Sequence, residues 1–436
     1  MKHRLGSLLA AVIMLPLSAY AQSAPAPRWI ETWGTAQPLA VPPPTPAFLR
    51  TTAPVQPEPK RPAPPPSPMV PFPPTLSAQT VRMIARVSTG GAQIRFAFRN
   101  AAGGDAVTFG AVHAALARTD AAALADGAID PSSDHGVTFG GKPTVTLFPG
   151  ATVWSDPVAL AVPPLGSVAV SVYLPHPTAT NTVHALGLSP AFVVAGDATS
   201  APRLASPQRL RSYFWLEGMS VPATDPSAGT LVALGDSITD GYATTPGLHQ
   251  EWPALLAERL QREGKGGLSV VNAGISGNRI LKTGAGESAL QRFDTDVLAR
   301  PGVRWVLLME GINDINMSII PGVPASEGVE ARQIIAGMKQ LIERAHLHGI
   351  RIAGATILPT KGLPFYSAGG EAMRSTVNQW IRTSGWFDAV IDFDGVVRDP
   401  ADPMQLRPAF DPGDHVHPND AGNRAMAEAI DVSLFP

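Results

Sequence analysis

The sequence predicts an α/β domain with a parallel sheet covered by helices on both faces, preceded by an all-β, sandwich-like domain. Three observations carry this expectation. From Thr80 to about Val221, short alternating or apolar runs are separated by glycine and proline turns, the pattern of an antiparallel sandwich. From Thr230 onward, apolar strand candidates alternate with amphipathic helical patterns, which is the grammar of a parallel sheet. Between them lies VPATDPSAG, a stretch suited to a linker.

Taken in order, the chain opens with Lys2, His3 and Arg4, a mostly apolar run from Leu5 to Leu17, and Ala19-Tyr20-Ala21. This predicts an export signal over 1–21 cut before Gln22; about 13 apolar residues fall short of the roughly 20 that span a bilayer. The expected location is therefore secreted or periplasmic. WIETW, Trp29 to Trp33, is a strand candidate that pairs with the sheet beyond the next segment. Proline totals 45, about twice the ordinary share, and is concentrated over 38–74. Such a segment lacks donors and favours polyproline II, so an extended surface loop is expected within a β domain spanning 22–221.

Within that domain, Ile94, Phe96 and Phe98 alternate with Gln93, Arg95 and Ala97, the period-two signature of a half-buried strand. TVRMIARV, AVTFGAVHAAL, PTVTLF, VAVSVYL and RSYFWLEGMSV are further candidates. Phe148, Trp154 and Tyr173 are expected in the core rather than on a sugar-binding platform. After a linker over 222–229, the region 230–436 offers strands at Thr230–Leu234, Ser269–Asn272, Trp305–Met309, Arg351–Thr356 and Ala389–Phe393. Helical patterns cover Trp252–Arg262, Glu287–Ala299, Glu327–His348 and Glu371–Thr383, and a last helix follows Asn419.

Composition removes several classes of function. With 436 residues, 44% hydrophobic, 16% charged and a net charge of −2, the chain is neither a disordered polyelectrolyte nor a basic nucleic-acid binder. Cysteine is absent, which excludes disulfides, thiolate metal sites and a cysteine nucleophile. Export without disulfides points to a bacterial periplasm or exterior.

In parallel sheets ligands sit outside the carboxyl ends of the strands, so the chemistry belongs in the strand-to-helix loops. The first reads Leu234-Gly235-Asp236-Ser237-Ile238-Thr239-Asp240-Gly241. A serine there can present its hydroxyl at the sheet edge, although Asp and Ser also cap helices. The GxSxG elbow is absent. The second and third loops are Asn272-Ala273-Gly274-Ile275-Ser276-Gly277-Asn278 and Glu310-Gly311-Ile312-Asn313-Asp314. Their glycines permit close backbone approach, the Asn313 amide can donate to a developing oxyanion, and turn chemistry alone explains each loop equally. Last comes Asp411-Pro412-Gly413-Asp414-His415-Val416-His417-Pro418, where Asp414 can orient His417. His415 and His417 also raise a metal, but with no third histidine nearby none is expected.

GDS, the glycine of ISGN, GIND and DxxHP, in this order, resemble the four blocks of the SGNH (GDSL) hydrolases over Leu231 to the C-terminus. The resemblance implies a flavodoxin-like three-layer αβα fold and an esterase site without metal or cofactor. It makes Ser237 the nucleophile, His417 the general base and later acid, and Asp414 the residue orienting the imidazole. The oxyanion hole would comprise the N–H groups of Ser237 and Gly277 and the side-chain amide of Asn313. GIND stands where many members have GGND, and the variable position holds Ile312. The layout of an exported β-rich region followed by GDSITDG and VNAGISGNRIL further resembles the two-domain secreted esterases of the acetylxylan-esterase-like branch.

The expected function is hydrolysis of short-chain, chiefly acetyl, esters, on carbohydrates or small molecules, through an acyl-serine intermediate. A lipase or arylesterase acting on other carboxylic esters, and an acyltransferase using the same acyl-enzyme, are the alternatives. A polysaccharide-binding protein with an inactive SGNH domain is the remaining class, opposed by the intact Ser237, Asn313, Asp414 and His417. No nucleic acid, membrane anchor or protein partner is expected.

Overall fold

The computed structural model describes residues 27–37, 71–102, 104–120 and 123–435. The export signal over 1–21 and residues 38–70 of the proline-rich loop lie outside the described residues.

Five strands form a wholly parallel sheet in the order Leu268–Gly274, Gly229–Gly235, Val303–Met309, Arg351–Ala355, Ala389–Ile391. By sequence rank this is 2-1-3-4-5, the flavodoxin-like winding, in which the order reverses beside the first strand. Gly229–Gly235 is buried throughout, as a central strand covered on both faces must be. The helices divide into two groups. Trp252–Arg262 packs with Asp420–Ala429, which in turn meets Phe393–Val397; Ala331–Leu347 packs with Ala289–Phe293 and Ala368–Thr383, and the last of these meets Ile312–Ile319. Ala331–Leu347 buries Ile334, Met338, Leu341, Ile342 and Ala345, a stripe at the 3.6-residue period.

The preceding residues form mostly antiparallel strands. Two sheets dominate: Trp29–Gly34, Leu216–Pro222, Arg95–Arg99 and Thr152–Trp154 in one, and six strands around Gln79–Arg86 and Ser167–Leu174 in the other. Val81, Met83, Val168 and Val170 from the larger sheet share one core with Ile30, Phe96, Phe98 and Met219 from the smaller. The WIETW segment does pair across the intervening loop, antiparallel to Leu216–Pro222. Its other contacts reach the parallel sheet: Thr230 Oγ1 lies 3.0 Å from the Glu31 N–H, and Glu31 meets the Arg300 guanidinium at 2.9 Å in a fully buried pair.

Several details differ from expectation. Phe148 is 65% exposed, and Trp154 and Tyr173 are half-buried. The Arg95 guanidinium stacks between the Trp29 and Trp154 rings at 4.5 and 4.4 Å, so Trp154 serves a cation–π stack on the sheet face. The helical pattern at Glu287–Ala299 begins at Ala289 and gives way to a π-helical turn over Asp294–Leu298. Strand Ala389–Ile391 stops early because Asp392 caps the helix Phe393–Val397, its side chain accepting from the Gly395 N–H.

Candidate active site

The four loops meet at the carboxyl ends of the strands, where the order reverses. Asp236 caps the short helix Ser237–Asp240, its side chain accepting from the Ile238 N–H at 2.9 Å, so capping and presentation of Ser237 are simultaneous properties of one turn. Gly235 is required by closeness: a Cβ there would fall 2.5 Å from the Met309 carbonyl oxygen. Ser237 is buried to 9% exposure, and its Oγ lies 2.8 Å from His417 Nε2. His417 Nδ1 lies 2.8 Å from Asp414 Oδ2, while Asp414 Oδ1 accepts the N–H groups of His417 and Val416 at 3.0 and 3.1 Å. Burial pushes the Asp414 carboxyl up, but these donors outweigh it and hold the group below the usual carboxylate range. His417 is thereby fixed with Nδ1–H toward Asp414 and Nε2 toward the serine hydroxyl.

Residues 233–425 match the model of the GDSL-like lipase/acylhydrolase family. The C-terminal domain belongs to this family. The protein is a carboxylic ester hydrolase of the SGNH/GDSL type. Among solved structures the chain is similar to Axe2, an acetylxylan esterase from Geobacillus stearothermophilus, at 24% identity over 48% of this chain and 94% of that one, with a TM-score of 0.39. It is similar to an alpha/beta hydrolase, LAE5, from the metagenome of Lake Arreo, Spain, at 21% identity over 49% and 97%, with a TM-score of 0.38. A GDSL-like lipase from Bacteroides thetaiotaomicron shows 18% identity over 49% and 91%, with a TM-score of 0.36. No curated protein sequence matches the chain.

The other two blocks of the GDSL domain flank the serine. Gly277 has φ +83°, a conformation that glycine adopts freely, and is the third residue of a turn closed by Asn278 N–H to the Ile275 carbonyl at 3.0 Å. Among the described residues, neither the Gly277 nor the Ser237 N–H donates a hydrogen bond. Asn313, on the first turn of Ile312–Ile319, gives one amide hydrogen to the Asn278 carbonyl at 3.0 Å. A primary amide has two, so a second remains. Asp314 anchors the same pair of loops by accepting the Ile280 and Leu281 N–H groups at 2.8 and 3.1 Å.

Three features were not legible in the motifs. Arg292 is buried beneath the loops and donates to the carbonyls of Gly235 and Ala273 at 2.9 and 2.7 Å, to Asn278 Oδ1 at 3.0 Å and to Asp296 at 2.9 Å. Tyr242 packs its ring 4.4 Å from that of His417. Beside the serine lie Asp236, Asp314 and Glu310: burial raises Asp236 to about 7 and Asp314 to about 6, and burial with the Asp236 charge raises Glu310 well above its ordinary value. Desolvation, with like charges close by, thus shifts all three carboxyls toward the protonated form, Glu310 the furthest. His415 faces a different carboxylate, Asp411, at 2.6 Å. Among the described residues no group of three or more His, Asp or Glu is arranged to hold a metal.

Proposed function

We propose that the protein hydrolyses short acyl esters, principally acetyl esters of carbohydrates, outside the cytoplasm through an acyl-serine intermediate. The observation that supports this most is the continuous line of 2.8 Å contacts from Asp414 through His417 to Ser237. His417 Nε2 accepts the Ser237 proton as Oγ attacks the ester carbonyl, and Asp414 stabilises the imidazolium. The Ser237 and Gly277 N–H groups and the second Asn313 hydrogen receive the tetrahedral oxyanion. Collapse expels the alcohol, which takes the proton from His417. Water then repeats the sequence on the acyl-enzyme, releasing the acid and restoring Ser237. The likeness of the two-part layout to the acetylxylan-esterase-like branch supports the carbohydrate acetyl ester.

The test is acetate release from acetylated xylan by the mature protein, with Ser237→Ala as control and p-nitrophenyl acetate as a check of competence. Serine-dependent release is the expected result. Cleavage of the small ester without release from xylan would move the natural substrate to another ester class, and transfer of acetyl to an added sugar would make the enzyme an acyltransferase.

A further inference from the structure

His184 belongs to the β-rich part of the chain, in the short strand pair Val183–His184 with Tyr213–Phe214, yet it reaches the loop that carries Ser237. The residue is 5% exposed. Its Nδ1 faces the Ala36 carbonyl at 2.7 Å; its Nε2 faces the Leu186 carbonyl at 3.1 Å and Asp240 Oδ1 at 3.0 Å. Carbonyl oxygens only accept, so each ring nitrogen must carry hydrogen, and a ring donating from both is an imidazolium. Burial pulls this histidine's pKa down, but Asp240 and the two carbonyls overcome that pull and hold it above its ordinary value.

Asp240 ends the GDSITD turn, three residues after Ser237. Its other oxygen, Oδ2, accepts both the N–H of Ser276 at 3.0 Å and the Ser276 hydroxyl at 2.7 Å. Ser276 immediately precedes Gly277. The two loops also touch directly: the Asn272 side-chain Nδ2 donates to the Thr239 carbonyl at 2.8 Å, and a Cβ on Gly274 would collide with the Asp240 nitrogen. The orientation of the Gly277 N–H therefore depends on a carboxylate whose buried charge is balanced from the other part of the chain.

We propose that His184 is a positioning residue for the oxyanion hole: as an imidazolium it clamps Asp240, and Asp240 fixes the Ser276-Gly277 turn against the serine loop. The β-rich part thus completes the catalytic domain rather than only packing on it. This rests on the assignment of the Gly277 N–H as an oxyanion donor. A misdirected donor weakens stabilisation of the transition state more than binding of the ground state, so the loss belongs in kcat.

The experiment compares the full chain with His184→Gln, Asp240→Asn, the double variant and Ser276→Ala on p-nitrophenyl acetate, with Tm recorded for each. A complete loss of one oxyanion donor costs about 10²–10³ in kcat; displacement of one is expected to cost roughly tenfold or more, with KM within about twofold. The double variant is expected to be no worse than either single one, because all act through one turn. Ser276→Ala, which keeps the buried pair intact, is expected to lower kcat about threefold and serves if the His184 variant does not fold. Wild-type kcat in folded His184→Gln or in Ser276→Ala overturns the proposal, as do independent, multiplying losses in the double variant. Retained activity in Ser237→Ala would instead overturn the underlying assignment of the site, whatever His184 does.

Discussion

Arg292 donates its guanidinium to the carbonyl of Gly235 at 2.9 Å, two residues before Ser237. The same side chain holds Ala273 and Asn278 of the second loop and pairs with Asp296. One planar fork therefore sets the spacing between the turn that carries Ser237 and the turn that carries Gly277. Lysine cannot imitate this, because its single ammonium lacks the fixed set of divergent donors.

Two substitutions separate charge from geometry here. Arg292→Met leaves the buried Asp296 carboxylate with only the more distant Arg300 guanidinium, at 3.9 Å, and breaking a buried pair costs about 3–5 kcal/mol. Denaturant unfolding should report a loss of this size. Arg292→Lys should retain more stability yet lower kcat on p-nitrophenyl acetate about tenfold or more, because misplacement by about 1 Å can cost up to 10²-fold. Full activity in Arg292→Lys would show that the loop spacing is set elsewhere.

Removing Ser237 or His417 should reduce kcat by about 10⁴–10⁶, and the double variant should be little worse than either alone, since the pair acts as a unit. His415→Ala is expected to stay within about threefold of wild type, because that ring is occupied by Asp411 rather than by the serine. Initial rates with circular dichroism spectra of each variant decide this. Equal damage from the two histidine changes would reassign the base.

The division between what the sequence discloses and what it withholds follows from separation along the chain. Ser237, Asp414 and His417 lie in short contiguous patterns; each alone reads equally as a cap or a turn, and only the four blocks in order, through their resemblance to the SGNH hydrolases, assign them roles. The alternating strand-helix grammar likewise discloses the parallel sheet, because each strand buried on both faces must be apolar throughout. Arg292, Tyr242 and His184 carry no such pattern. An arginine in LQRFDTD reads as a solvated helix residue until the fold places the Gly235 carbonyl above it. His184 lies 56 positions from Asp240, and nothing local marks it as charged. Residue type alone puts Phe148 and Trp154 in the core, where aromatic residues usually lie; in the fold Phe148 is exposed and Trp154 stacks on Arg95.

Asn313 should be the donor whose loss is most readily isolated, since it donates from a side chain that can be shortened, whereas Ser237 and Gly277 offer backbone N–H groups. Asn313→Ala is expected to lower kcat by about 10²–10³ with KM little changed, the behaviour of a contact made chiefly in the transition state. The Asn278 carbonyl also loses its 3.0 Å partner, at a stability cost of about 1–3 kcal/mol for a buried group left unmet. A rise in KM with unchanged kcat would mean that Asn313 binds the ester rather than its oxyanion.

Stability should decline as pH rises through neutrality, and Glu31 is expected to contribute to the decline. Burial raises its carboxyl from 4.5 to about 7 against the opposing pull of Arg300. One of its oxygens has no partner among the described residues, and a Cβ on Gly218 would strike the other. With the folded pKa above the unfolded one, the folded state binds more protons between these values. The associated stabilisation is therefore complete below about pH 4.5, shrinks as pH climbs toward 7, and is gone above it. At 1.36 kcal/mol per unit this is of order 3 kcal/mol. Asp414 and the other depressed carboxyls act oppositely, losing stability only as pH falls below the ordinary Asp range. Unfolding free energy measured from pH 5 to 8 should fall in the wild type and fall less in Glu31→Gln, whose amide keeps the shape but cannot titrate. Identical slopes in the two proteins would mean that Glu31 remains charged throughout, neutralised by Arg300.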